Sequence, residues 1–182
     1  MAPLVAPTQE TPNPVDEPDR RAQFAATFLP HLPAAYNLAR WLTRDGHDAE
    51  DVVQEAYLRA FRSSGGFRGG DGRAWFLAIV RNTCLTWLRQ NRPAAPTVPF
   101  DEARHGGPAH SDRPVDGEAL GLALEELPAE FREAVVLREL EGLSYKEIAA
   151  VTGVPIGTVM SRLSRGRDLL RRALAGRGAE EV

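Results

Sequence analysis

The chain has 182 residues with 22 basic and 25 acidic side chains, a formal net charge of −3 and one cysteine. No stretch approaches the roughly 20 apolar residues that a membrane span needs, and a lone cysteine closes no internal disulfide, which fits a reducing compartment. The length holds one ordinary domain or two small ones, and breaks in composition favour two.

Residues 1–19 hold five of the fourteen prolines and no basic residue. They lack apolar periodicity and read as a disordered tail. Without a basic n-region or a continuous apolar core, the tail is not expected to be a signal peptide, and the protein is expected to be soluble and cytoplasmic. From Phe24 onward, Phe24, Phe28, Leu32, Ala35, Leu38, Ala39 and Leu42 recur at helical spacing, interrupted by Pro30 and Pro33. Asp48 to Phe61 has an acidic first turn (Asp48, Glu50, Asp51) and a basic end (Arg59, Arg62), which complements a helix dipole. Val52, Ala56 and Phe61, with Val53, Tyr57 and Ala60, supply its buried side and leave Asp51, Gln54, Glu55 and Leu58 on its surface.

Between Arg59 and Arg92 lie seven arginines and one acid, Asp71. Gly65, Gly66, Gly69, Gly70 and Gly72 make a flexible loop around Phe67, Arg68 and Asp71, and a helix resumes from Trp75 to Leu88. Glycine, aromatic and arginine together suit single-stranded DNA, whose unstacked bases need a π-face and phosphate contacts. Trp75, Phe76, Ile79, Val80, Leu85 and Leu88 read as core. Cys84 lies within that apolar helix and reads as a buried structural thiol, with a redox sensor or nucleophile as the alternative. From Pro93 to Gly117, five prolines and three glycines sit among Asp101, Glu102, Asp112 and Asp116 with no helical period, which describes a flexible acidic linker. His31, His47, His105 and His110 have no metal-ligand spacing, and GGFRGGDG lacks the lysine of a phosphate-binding loop. No catalytic, metal or cofactor site is expected.

Leu124, Leu127, Phe131, Val135, Val136 and Leu140 form a helical apolar stripe near Pro128. Beyond it, Ser144 and Glu147 have the spacing of a capping box. Tyr145, Ile148, Ala149 and Val151 give the helix that starts there an apolar face, and Gly153 supplies the backbone for a tight turn. Pro155 permits a second helix to begin beside it and run to about Leu174. Val159, Leu163, Leu169 and Leu170 fall on or beside its packed face, while Ser161, Arg162, Arg165, Gly166 and Arg167 lie mostly elsewhere. Residues 156–177 contain six arginines and one acid, Asp168. A basic second helix in a helix-turn-helix suits the major groove, because arginine neutralises phosphate and can bond guanine in a fork.

The segment LSYKEIAAVTGVPIGTVMSRLSRGRDLLR resembles region 4 of bacterial extracytoplasmic-function (ECF) sigma factors, most specifically in its GTV-x-SRL core. Upstream, DAEDVVQEAYLRAFR and FRGGDGRAWFLAIVRNTCLTWLRQNR resemble sigma region 2, in the right order. The resemblance implies an all-α chain of two small helical domains joined by a flexible linker. Its divisions are a tail at 1–19, region 2 at 20–92, the linker at 93–117, region 4 at 118–175 and a C-terminal tail at 176–182. It implies docking of Asp51, Gln54, Glu55 and Leu58 on core RNA polymerase, and capture of single-stranded minus-10 DNA through Arg68, Asp71, Arg73 and Asn82, with Arg81 and Arg89 on phosphates. It also implies reading of duplex minus-35 DNA through Ser161, Arg162 and Arg165, with Thr158 and Arg167 on phosphates, and a linker threaded through the polymerase. An anti-sigma factor is an implied partner. Met160 departs from the pattern, since many relatives carry lysine or arginine there. Such a protein directs an enzyme without being one. The competing classes are a polymerase-independent helix-turn-helix regulator and a protein that only mimics a sigma factor.

Overall fold

A computed structural model describes residues 16–91 and 117–180. The expected tail before Asp16, the linker up to Asp116 and the last two residues lie outside the described residues. Among these there is no strand. The helices are α1 (Asp16–Phe28), α2 (Leu32–Thr43), α3 (Gly46–Arg62), α4 (Gly72–Asn91), α5 (Gly117–Glu126), α6 (Ala129–Val135), α7 (Tyr145–Thr152) and α8 (Ile156–Glu180).

Pro30 and Pro33 do not break the first helical region at random. A short 3-10 turn, Leu29–His31, separates α1 from α2, and both prolines fall in first turns where a missing amide hydrogen costs nothing. Helix α2 ends on Arg44 at φ 62°, an uncommon conformation for a residue with a β-carbon. Asp45 then caps α3 by accepting from His47 N at 2.8 Å and Asp48 N at 3.0 Å. Helix α4 packs against α2 and α3 and also against α7. Its weak segregation of polar and apolar residues follows from that position, because neighbours on two sides leave only a narrow face to solvent.

An aromatic cluster holds the first half together. Phe24 meets Phe28 at 4.6 Å, Tyr57 at 5.0 Å and Phe61 at 5.2 Å between ring centroids. Phe67, expected in a flexible loop, packs on Phe28 at 5.5 Å and Trp75 at 5.2 Å, so it pins the glycine segment to the core. In the second half, α6 leaves through a π-helical turn, Val136–Leu140, and α8 lies against α5, α6 and α7. Buried side chains from both halves form one hydrophobic cluster.

Three boundaries differ from those expected. Helix α1 begins at Asp16, within the expected tail, and Gly117 opens α5 instead of closing the linker. Helix α8 continues to Glu180, beyond Leu174: Ala175 and Ala179 favour helix, and Gly176 and Gly178 weaken it without the proline that would end it.

Candidate nucleic-acid interface

The helix-turn-helix forms as its residues dictate. Ser144 Oγ accepts from Glu147 N at 3.3 Å, while Glu147 Oε2 accepts from Ser144 N at 2.6 Å. The Glu147 carboxyl is held below its ordinary value chiefly by these Ser144 bonds, then by Asp71 and Arg73 nearby. Gly153, at φ 70°, closes α7 in the left-handed conformation that a β-carbon would strain. Thr158 and Val159 donate their amides to Pro155 O at 2.9 and 3.1 Å, which starts α8.

On α8, Val159 and Leu163 are buried, whereas Met160, Ser161 and Arg165 are exposed. Ser161 Oγ donates to Thr158 O at 3.0 Å, and Thr158 is half-buried. Arg162 lies 3.7 Å from Glu130, and Arg167 donates through Nε and Nη2 to Glu139 Oε1 at 2.9 and 2.7 Å. That carboxylate raises the proton affinity of Arg167 further. Gly166 is not on the free face. It is buried, and a β-carbon there would meet Val135 Cγ2 at 2.8 Å and Phe131 O at 3.2 Å. Glycine thus sets how closely α8 approaches α6, a role that periodicity alone did not reveal.

The other basic zone divides between solvent and the second half of the chain. Arg68 and Asn82 are exposed. Asn82 lines a groove of about 320 Å³ with Arg59, Arg62, Ser63, Ile79 and Thr83. Arg89 is exposed and bonds Leu85 O of its own helix at 3.1 Å. Asp71 is exposed and accepts from Ala74 N at 3.1 Å, so it caps α4. Arg73 and Arg81 instead reach across to acids of the second half, Glu141 and Glu133, at 2.9 and 2.5 Å. A separate pocket of about 390 Å³ opens between α1 and the glycine segment, lined by Arg20, Gln23, Phe24, Thr27, Phe28 and Phe67 among others. Its α1 lining residues lie inside the expected region 2, where helical spacing already marked Phe24 and Phe28; the pocket itself exists only where α1 meets the glycine segment.

On the far side of α3, Gln54 and Leu58 line an apolar groove of about 440 Å³ together with Leu32, Tyr36, Val53 and Tyr57. Asp51 is exposed nearby, and Glu55 pairs with Arg59 at 2.7 Å. Val53 and Tyr57, expected in the core, are half-buried walls of this groove. Exposure of Tyr36 beside them was invisible to a reading of α3 alone.

Cys84 is fully enclosed, and burial pushes its thiol up to about 12, which removes the thiolate that reactivity requires. Among the described residues no cluster of histidine, cysteine or carboxylate could hold a metal ion.

A helix-turn-helix with an arginine-bearing second helix, joined to a helical unit with its own basic zone and an apolar groove, is the architecture of a DNA-reading protein. Residues 27–93 match the family model of sigma-70 region 2, and residues 117–170 match that of sigma-70 region 4. The chain belongs to the ECF group of sigma-70 factors. It is 40% identical over 187 residues to the ECF RNA polymerase sigma factor SigE of Mycolicibacterium smegmatis, covering 92% of this chain and 72% of that protein. It is 32% identical to the RNA polymerase sigma-H factor of Pseudomonas aeruginosa, over 88% of this chain and 90% of that one. Among solved structures, it resembles the sigma factor RpoE of Bartonella quintana in complex with the anti-sigma factor NepR. The TM-score is 0.66 at 31% identity, over 84% of this chain and 96% of that one. CnrH, in complex with the cytosolic domain of CnrY, gives a TM-score of 0.58 at 25% identity over 82% and 86%.

Proposed function

We propose that this ECF sigma factor joins core RNA polymerase through the groove between α2 and α3, with Asp51, Gln54, Glu55 and Leu58 as its α3 contacts. An exposed leucine beside acids suits a basic, partly apolar helix, with charge steering the encounter and apolar burial holding it. On promoter DNA, α8 enters the major groove of the minus-35 duplex. Ser161, Arg162 and Arg165 meet base edges there, and Thr158 and Arg167 meet phosphates.

At the minus-10 element, Arg68, Asp71, Arg73 and Asn82 hold unstacked DNA, with Arg81 and Arg89 on phosphates. The pocket between α1 and the glycine segment is large enough for an extruded base, and Phe24, Phe28 and Phe67 supply apolar walls. Melting follows from differential binding: this surface gains contacts with single strands that a duplex does not offer, so it draws the equilibrium toward the open form.

The observation that carries this reading is the presence, in one chain, of an arginine-bearing helix-turn-helix and a separate unit with both a docking groove and a base-sized pocket. Domain divisions follow the same logic: region 2 over about 20–92, a tether, and region 4 over about 118–175. The protein directs catalysis by the polymerase and performs none itself. It works in the cytoplasm, and among the described residues no helix is long and apolar enough to cross a membrane. An anti-sigma factor is a further partner, given that two similar structures are complexes, one of them with a named anti-sigma factor.

The test is transcription in vitro from a pooled promoter library with core polymerase, with and without this protein, followed by sequencing of the transcripts. New starts that share two spaced motifs are expected. Starts that do not depend on the protein would favour a polymerase-independent regulator.

A further inference from the structure

We propose, on the reading that α8 lies in the minus-35 groove, that its first two turns select thymine. Ile156 and Met160 pack on the C5-methyl groups that thymine presents there. Ile156 opens α8 and Met160 stands one turn later, so the two share a face. They are 46% and 53% exposed, whereas Val159 and Leu163 on the same turns are each 1% exposed. The domain core thus draws its own apolar side chains from this part of α8 and leaves the Ile156 and Met160 pair in solvent.

The residues beside the pair are small. A β-carbon on Gly157 would have no neighbouring group within 4 Å, and Ser161 and Ser164 are exposed. Short side chains let the helix backbone come close to the floor of a groove, and Ile156 and Met160, being longer, reach that floor first.

Depth decides which part of the helix meets bases. In a helix-turn-helix the N-terminal residues of the second helix contact base edges. The exposed ones on α8 are Ile156, Gly157, Met160 and Ser161, and none is charged. Arg162 leans toward Glu130 at 3.7 Å, and Arg165 lies about 13 Å along the axis from Ile156, at about 1.5 Å per residue. Base pairs present donors, acceptors and one apolar group in the major groove, the thymine methyl. A polar edge set against Met160 loses water and gains no bond, while a methyl group set there is buried at no such cost. Selection is therefore two-sided: burial favours thymine, and stranded polar edges disfavour its competitors.

The occupant is DNA and not a protein because the patch is continuous with Ser161 and leads into the arginines that follow on α8. Residues 156–177 carry six arginines and one acid, a charge that complements phosphates flanking a groove.

The experiment uses holoenzyme assembled from the full chain and core polymerase, on the strongest promoter recovered from the pooled library. Each thymine of the minus-35 motif, on either strand, is replaced in turn by deoxyuridine, which keeps the pairing edge and lacks only the methyl. Competition against the unmodified promoter reads the change in affinity. Replacement at one or two adjacent positions is expected to weaken binding about fourfold each, the effect of one buried methyl group. Deoxyuridine in the spacer should have no effect. Ile156→Ala combined with Met160→Ala should bind the thymine and deoxyuridine promoters equally, the non-additivity of partners in contact, whereas Arg165→Ala should keep the difference. The wild-type measurement stands even if the double variant fails to fold. A motif without thymine, tolerance of deoxyuridine at every minus-35 position, or a thymine preference undiminished in the double variant overturns the proposal. Weaker assembly of the double variant with core polymerase, with its thymine preference intact, gives the patch to a protein surface and overturns it as well. Failure of the underlying reading looks different: no minus-35 motif is recovered, or Arg165→Ala leaves selectivity undiminished, and the thymine contacts fall with it.

Discussion

Gly166 and Val135 face each other so closely that a β-carbon on the glycine would stand 2.8 Å from Val135 Cγ2. Helix α8 therefore rests on α6 at a distance only glycine permits, and this contact fixes how the recognition helix projects from its domain. Gly166→Ala forces the helices apart or Val135 off its rotamer. A loss of about 1–3 kcal/mol is expected, the usual cost of overpacking, and is measured by urea unfolding followed by circular dichroism. A stabilised variant, as expected from helix propensity alone, would disprove the contact.

The capping box gives a signed dependence on pH. Glu147 titrates below its ordinary value of 4.5 in the folded chain, chiefly because Ser144 donates to it. Its contribution to stability is complete above the unfolded value and disappears as pH falls through the lower folded one. Ser144→Ala should cost about 1 kcal/mol at neutral pH. The difference in stability between wild type and Glu147→Gln should shrink as pH drops below about 4.5; a constant difference would detach the carboxylate from the cap.

Arg165→Ala should sharply reduce promoter selectivity while leaving polymerase binding intact. Loss of one good base contact corresponds to about 1–3 kcal/mol of discrimination, roughly 5- to 150-fold. Competition between promoter and random duplex, with holoenzyme assembled from the variant, measures it. Undiminished selectivity would remove Arg165 from the groove.

Asp51→Arg combined with Gln54→Ala should act in reverse, weakening polymerase binding by about tenfold or more, the effect of a like-charge contact worth at least about 1.4 kcal/mol. Anisotropy of labelled protein titrated with core polymerase reads the change. The helix content should stay the same, because both side chains are exposed on α3. Unchanged affinity would clear the α2/α3 groove of this role.

Cys84 should resist alkylation in the native protein. Burial pushes its thiol up to about 12, so little thiolate forms at pH 8, and the enclosed sulfur is out of reach of reagent. Labelling by iodoacetamide is expected to follow unfolding and to become rapid in denaturant. Fast labelling of folded protein would place the thiol at the surface.

The residue pattern alone was enough for the local devices and for the family. Ser144, Glu147 and Gly153 specify a helix start and stop within ten residues, and the arginines of α8 advertise nucleic acid, because capping, turn geometry and charge are short-range properties. The same holds for α3, whose acidic start and basic end complement its dipole. Tertiary packing decided which of the basic side chains face solvent. Arg73 and Arg81 read like Arg68 and Arg89 in sequence, yet their partners Glu141 and Glu133 lie 68 and 52 positions further along, and no periodicity reports a pairing at that separation. The burial of Gly166, the anchoring of Phe67 and the walls of the α2/α3 groove likewise arise where separate helices meet. Local chemistry is written residue by residue, whereas access to it depends on the helices that pack over it.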